Sequence, residues 1–215
     1  MQWIHVNKDE LFFLLYGLKI VASGGNGRIF QYNDRTLAKI YLSFLGESYK
    51  EFDVEEMISK ISMWCSEDRL MKVIYPDYET TSERIFRIAK RLKNTSCSDL
   101  IQGAIFYQDF AMASLLLDYT KEGYVVYKKI CKEYGREENS EILNKTQEKV
   151  MELMNECIYP RDIKFGNVMV RPKDLDVRLI DLDDGYTKYA DCKDYVCCAE
   201  VLNQLERMKV RILKK

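Results

Sequence analysis

In the stretch Tyr159-Pro160-Arg161-Asp162-Ile163-Lys164-Phe165-Gly166-Asn167-Val168, a carboxylate, an ammonium and an amide stand at positions 0, +2 and +5. An acidic run, Asp181-Leu182-Asp183-Asp184, opens fourteen residues beyond Asn167. The segments 167–170 and 177–180, joined by a turn at 172–176, read as a hairpin that folds Asp181 back beside Asn167. An amide oxygen and a carboxylate then converge. These are the hard donors that suit Mg²⁺, with the remaining coordination positions left to water and polyphosphate. Asp162 is placed to accept a hydroxyl proton, and Lys164 to neutralise charge on a phosphoryl group in transfer. The bland alternative is a charged surface loop followed by an acidic hairpin.

A second constellation is Ala22-Ser23-Gly24-Gly25-Asn26-Gly27-Arg28-Ile29, laid across a strand, a turn and a strand. Its glycines let backbone amides approach phosphates with no Cβ in the way, and Ile29 is placed to press on an adenine ring. The same glycine-rich turn also serves an ordinary hairpin. Lys39, in Leu37-Ala38-Lys39-Ile40, follows Gly27 by twelve residues.

The elements that must position these groups follow from patterning. Strands are expected over 18–22, 28–32 and 36–42, with a polar turn at 33–35. Residues 50–64 set Val54, Met57, Ile58, Ile61 and Trp64 on one helical stripe. Short strands are expected over 71–75 and 84–92. After a polar break at 94–98, long helices are expected over 104–134, interrupted near Gly123, and over 140–157. A last helix, 191–208, carries Tyr195, Cys198, Val201, Leu202 and Leu205. A β-rich part (1–92) followed by a helical part (93–215) is an α+β arrangement, one domain with a cleft at the join.

Composition narrows the chemistry. With 33 Lys+Arg against 34 Asp+Glu the 215-residue chain has a formal charge of −1, so no broad positive field favours nucleic acid. At 47% hydrophobic and 12% aromatic content, enough apolar surface exists to offset the entropy of ordering. His5 is the only histidine, which disfavours imidazole triads and His-rich zinc sites. Seven cysteines with no Cys-x-x-Cys pair read as reduced thiols in a cytoplasmic setting. The cluster Cys192, Cys197, Cys198 does not match zinc spacing. The apolar stretch 11–22, interrupted by Gly17 and Lys19 and lacking a basic leader, is too short for a membrane span and does not read as a signal peptide.

The order Arg161-Asp162-x-Lys164-x-x-Asn167, a strand pair and then Asp181 resembles the protein-kinase superfamily. The resemblance implies a bilobal fold with ATP and Mg²⁺ as cofactors. Asp162 and Lys164 would be catalytic, and Asn167 and Asp181 would hold the metal. Ala22, Gly24, Gly25, Gly27 and Ile29 would cover the nucleotide, and Lys39 would hold its α and β phosphates. A helix carboxylate that orients Lys39 is expected at Glu55, with Glu51 the alternative and Glu47 and Glu56 also in range. The sequence departs from the pattern at Ala22 (usually glycine), Pro160 (usually histidine) and Asp183 (usually glycine). Only 34 residues follow Asp181, with no Ala-Pro-Glu signature and no long activation segment. The compact outline is similar to minimal kinases that some bacteria deliver into host cells as effectors. What this implies is a serine/threonine protein kinase acting on a protein substrate, active as made or switched on by a partner protein. Two other functions fit the same motifs: a small-molecule kinase of the aminoglycoside or choline kind, and a pseudokinase that only binds partners.

Overall fold

Asparagine at a turn can satisfy the backbone with its own side chain, and Asn33 does so, its Oδ1 accepting from the Arg35 amide at 3.0 Å. The computed structural model describes residues 1–17, 19–24, 27–40, 54–160, 162–182, 187–188 and 195–213. Two units emerge: Met1–Arg87 with Ile101–Leu117, and Ile88–Leu100 with Asp118–Lys215. The chain passes between them at three points, where the sequence pattern suggested a single division after residue 92.

The first unit contains β1 (Gln2–Val6), α1 (Lys8–Gly17), β2 (Lys19–Gly24), β3 (Gly27–Asn33), β4 (Thr36–Ile40), α2 (Val54–Ile74), the start of α3 (Thr81–Leu92), β5 (Ile101–Tyr107) and β6 (Phe110–Leu117). The sheet runs β1-β5-β6-β4-β3-β2. Only the β1–β5 pair is parallel; the others are antiparallel. Asn7 and Glu10 form a reciprocal cap at the start of α1, each side chain accepting from the other's amide at 3.0 and 2.8 Å, the pairing that satisfies two orphan donors. On one face, Leu11 and Leu15 of α1 and Met57, Ile58, Ile61 and Cys65 of α2 bury against Phe30, Ala38, Ile40, Ile105 and Tyr107. A smaller cluster joins Ile85 of α3 to Ala104, Phe106 and Ala111. Period-2 pleating puts Ala104 and Phe106 on the face opposite Ile105 and Tyr107.

Three expected elements differ. Residues 71–75 are the end of α2 and its exit, and 84–92 belong to α3. The signal for α3 is present in the sequence: Thr80 and Glu83 cap it reciprocally at 2.9 and 3.2 Å, and Ile85, Ile88, Ala89 and Leu92 are buried at helical spacing. The long helix expected over 104–134 is instead the β5–β6 hairpin followed by short turns. Both strands are buried almost throughout, and a strand covered on both faces loses the alternation that identifies it. Its turn residues, Gln108 and Asp109, lie at φ 50° and 65°, a left-handed turn usually marked by asparagine or glycine.

The second unit continues with β7 (Val125–Val126), α4 (Tyr127–Ile130), α5 (Arg136–Asn155), β8 (Tyr159–Pro160), β9 (Val168–Arg171), β10 (Asp176–Leu179), β11 (Thr187–Lys188) and α6 (Tyr195–Leu213), with 3₁₀ turns at Tyr119–Glu122 and Phe165–Asn167. Three strands order as β10-β9-β7, and β11 pairs with β8. Ile142, Leu143, Thr146, Val150 and Leu153 make one buried stripe on α5, which packs on β10 and α6. The stripe of α6 is Cys197, Val201, Leu205 and Met208. Val201 and Leu205 of the expected stripe are buried, whereas Leu202 is exposed and Cys198 half-buried, Cys197 and Met208 taking the buried places instead.

Burial pushes the Cys65 and Cys97 thiols up to about 11. Cys65, Cys97, Cys131, Cys197 and Cys198 form no disulfide. Cys157 is disulfide-bonded, which corrects the reading of every cysteine as a reduced thiol. Spacing along the chain does not reveal which thiols the fold brings within bonding distance. Among the described residues no helix is long and apolar enough to cross a membrane.

Candidate functional site

The loop between β8 and β9 is held by its own polar side chains. Asn167 donates from Nδ2 to the Asp162 backbone carbonyl at 2.9 Å and to Asp162 Oδ2 at 3.1 Å. Lys164 pairs through Nζ with the same Oδ2. Both side-chain contacts fall on Oδ2, so Oδ1 keeps its lone pairs for another donor. The Asp162 side chain is 28% exposed and that of Lys164 58%, which leaves the carboxylate partly shielded and the ammonium reachable. Because Asn167 spends its NH₂ on Asp162, the amide oxygen, the harder donor, is left for a cation.

The hairpin that carries the next acidic residue has the register expected of it. Leu179 faces Val168 and Val177 faces Val170, and the Ile180 amide donates to the Asn167 carbonyl at 3.0 Å. Asp181 therefore begins one residue past a direct backbone bond to Asn167. Its own φ is 67°, a left-handed conformation that few non-glycine residues adopt and that aspartate and asparagine tolerate best. The local chain thus brings the backbone of Asp181 beside the loop in which Asp162, Lys164 and Asn167 are bonded to one another. Phe165 is set by an edge-on contact with Tyr127, ring centroids 5.6 Å apart. Tyr127 in turn donates from its hydroxyl to Asn139 Oδ1, and Asn139 donates to three carbonyls, those of Cys131, Tyr134 and Gly135. The sequence pattern gave no sign of Asn139, because nothing short of the fold shows a helix asparagine closing the turn before it.

In the first unit the expected nucleotide residues form a row. Ala22 faces Ile29, Ile29 faces Lys39, Lys39 faces Ser114, and Ser114 faces Ala104. Directly opposed residues share a sheet face. Exposure falls along the row, from exposed Ala22 through half-buried Ile29 to Lys39 at 5% and Ser114 at 0%. Ala22 and Ile29 make an apolar shelf that leads to the buried Lys39. Its neighbours Ala38 and Ile40 belong to the core that holds α2. Gly24 faces Gly27 at the close of the β2–β3 hairpin; Gly25 lies outside the described residues. Glu55 is exposed in the first turn of α2, next to Glu56, which pairs with Lys60 at 2.8 Å. Glu47, Glu51, Arg161, Asp183 and Asp184 lie outside the described residues.

Beside the β9–β10 hairpin, Tyr124 donates from its hydroxyl to Asp176, and the Arg171 guanidinium lies 4.9 Å from the Tyr124 ring centre. Burial pushes the Tyr124 phenol up to about 12. These groups brace the hairpin. No protein-family model and no curated protein matches the chain, so the site is read from its own geometry.

Proposed function

We propose that the chain is an ATP- and Mg²⁺-dependent phosphotransferase, a serine/threonine protein kinase of minimal size that modifies a protein hydroxyl. The two units are, in this reading, the two lobes of a kinase-like fold. The observation that carries it is the hydrogen-bonded set Asp162, Lys164 and Asn167, joined to Asp181 through the Ile180–Asn167 backbone bond. Further support comes from Lys39, buried on the third strand of the antiparallel run β2-β3-β4 that precedes α2, the order the sequence resemblance requires.

The donor set fits a hard cation. Asn167 Oδ1 and the Asp181 carboxylate would hold Mg²⁺, which supplies neutralising charge at the polyphosphate. Lys39 would grip the α and β phosphates at the end of the Ala22–Ile29 shelf. The acceptor hydroxyl forms its bond to the γ-phosphorus as the bond to the bridging oxygen of ADP breaks. Its proton passes to Asp162 Oδ1, and ADP leaves. Lys164 offsets charge on the transferring group. Positioning and charge stabilisation carry the rate, because phosphoryl transfer asks for little covalent help from the protein.

A thermal-shift titration with ATP and Mg²⁺, followed by γ-labelled ATP offered with protein extract or small alcohols, tests the proposal. Label in protein supports it. Label only in a small alcohol points to a small-molecule kinase, nucleotide binding without transfer to a binding module, and no binding at all contradicts it.

A further inference from the structure

Gln204 lies on α6, beside its buried stripe of Val201, Leu205 and Met208. It is far from Asp162 in sequence, yet its Oε1 accepts from the Ile163 amide at 2.6 Å. That amide belongs to the same peptide group as the Asp162 carbonyl, and the Asp162 carbonyl accepts from Asn167 Nδ2 at 2.9 Å. One planar group is therefore gripped at both ends, by Gln204 at its N–H and by Asn167 at its C=O. The plane can rotate only if both bonds break. Because Asp162 is attached directly to this plane, the plane's tilt sets where the carboxylate points. The bond is only partly buried, so loss of the acceptor opens the Ile163 amide to water and frees the peptide plane to turn.

We propose that Gln204 is a positioning residue for Asp162, acting through the 162–163 peptide plane; this rests on the phosphotransferase reading. It gives α6 a role in the chemistry, in addition to covering α5.

Two substitutions separate the acceptor from the packing. Gln204→Met keeps the length of the side chain and removes the acceptor; Gln204→Glu keeps both. Gln204→Met is expected to lower kcat by about 10- to 100-fold, the range for misaligned catalytic groups, with KM for ATP within about twofold of the parent. Gln204→Glu is expected to restore most of kcat. Hydrogen exchange is read in parallel on the peptide covering 158–167, with α5 peptides as the control for folding. Exchange at Ile163 is expected to rise at least tenfold in Gln204→Met and to stay protected in Gln204→Glu.

Full kcat in Gln204→Met, or unchanged exchange there, overturns the assignment, and so does a Gln204→Glu protein as impaired as Gln204→Met. Should Gln204→Met fail to fold, Gln204→Glu decides: retained protection and kcat support the assignment, and their loss overturns it. If the parent protein transfers no phosphate, the phosphotransferase reading falls by itself. The exchange measurement needs no turnover, and unchanged protection in Gln204→Met then overturns the hydrogen-bond role separately.

Discussion

In the proposed site Asp181 would carry two burdens, a carboxylate that holds a cation and a backbone at φ 67°. The left-handed region costs an L-residue about 1–2 kcal/mol, and asparagine tolerates it about as well as aspartate. Asp181→Asn therefore removes the charge without changing the backbone requirement. The urea midpoint of unfolding is expected to stay within experimental scatter of the parent, while the Mg²⁺-dependent part of ATP stabilisation disappears; a variant that keeps that part would show that Asp181 does not hold the metal. Asp176 is tuned differently. Burial would raise its carboxyl, but the Tyr124 hydroxyl and the Arg178 charge outweigh burial and hold it below the ordinary carboxylate value. A folded value below the unfolded one means the stabilisation is present above about pH 4, the unfolded value, and is lost as pH falls through the folded value. Denaturant midpoints measured from pH 7 down to pH 3 are thus expected to fall less steeply in Asp176→Asn than in the parent; equal slopes would show that Asp176 contributes nothing. That Asp162, Lys164 and Asn167 share one loop, and that a hairpin returns the chain to Asn167, was legible in the sequence because the spacing is short and the hairpin carries a turn signal. Gln204 was not, because a glutamine on a helix flank has no signature until the fold shows what it touches.

At the scale of elements, Gly103 shows how closely β1 approaches β5. A Cβ placed there would lie 1.9 Å from the Gln2 carbonyl oxygen, a backbone atom that cannot swing aside. Gly103→Ala is expected to cost about 1–3 kcal/mol, the usual cost of forcing atoms into a packed interior, and to raise hydrogen exchange across residues 2–6. Unchanged exchange in that segment would mean that the β1–β5 pairing is looser than this contact implies. The β2–β3–β4 meander and the β9–β10 hairpin could be read in advance because their turns use asparagine, glycine or proline. The β5–β6 hairpin could not, since burial on both faces erased alternation and Gln108-Asp109 is an unusual pair for a left-handed turn. The helix over 84–92 does leave a sequence signal: Thr80 and Glu83 form a capping box just ahead of Ile85, Ile88 and Leu92 at helical spacing. β1 and α1 leave little signal in the sequence: on α1, Leu11 and Leu15 are fully buried, and Phe12 and Leu14 pack against the same core.

At the scale of the molecule, a mixed α/β composition was evident from the succession of patterns, but the assignment of 101–117 to the first unit was not. That assignment depends on a strand returning to the sheet after α3 and the turns that follow it, a long-range pairing that leaves no local trace. The near-neutral charge gives no broad field to draw in a polyanion, so the proposed phosphotransferase would have to recognise its nucleotide through a few placed groups. The most direct test of the central claim is the rate of γ-phosphoryl transfer by Asp162→Asn beside the parent, each with ATP and Mg²⁺ binding measured on the same preparation. The expected result is transfer slowed by about 10² to 10⁴ with nucleotide binding retained. Transfer at the parental rate would contradict the assignment of Asp162 as the base and, with it, the account of the site.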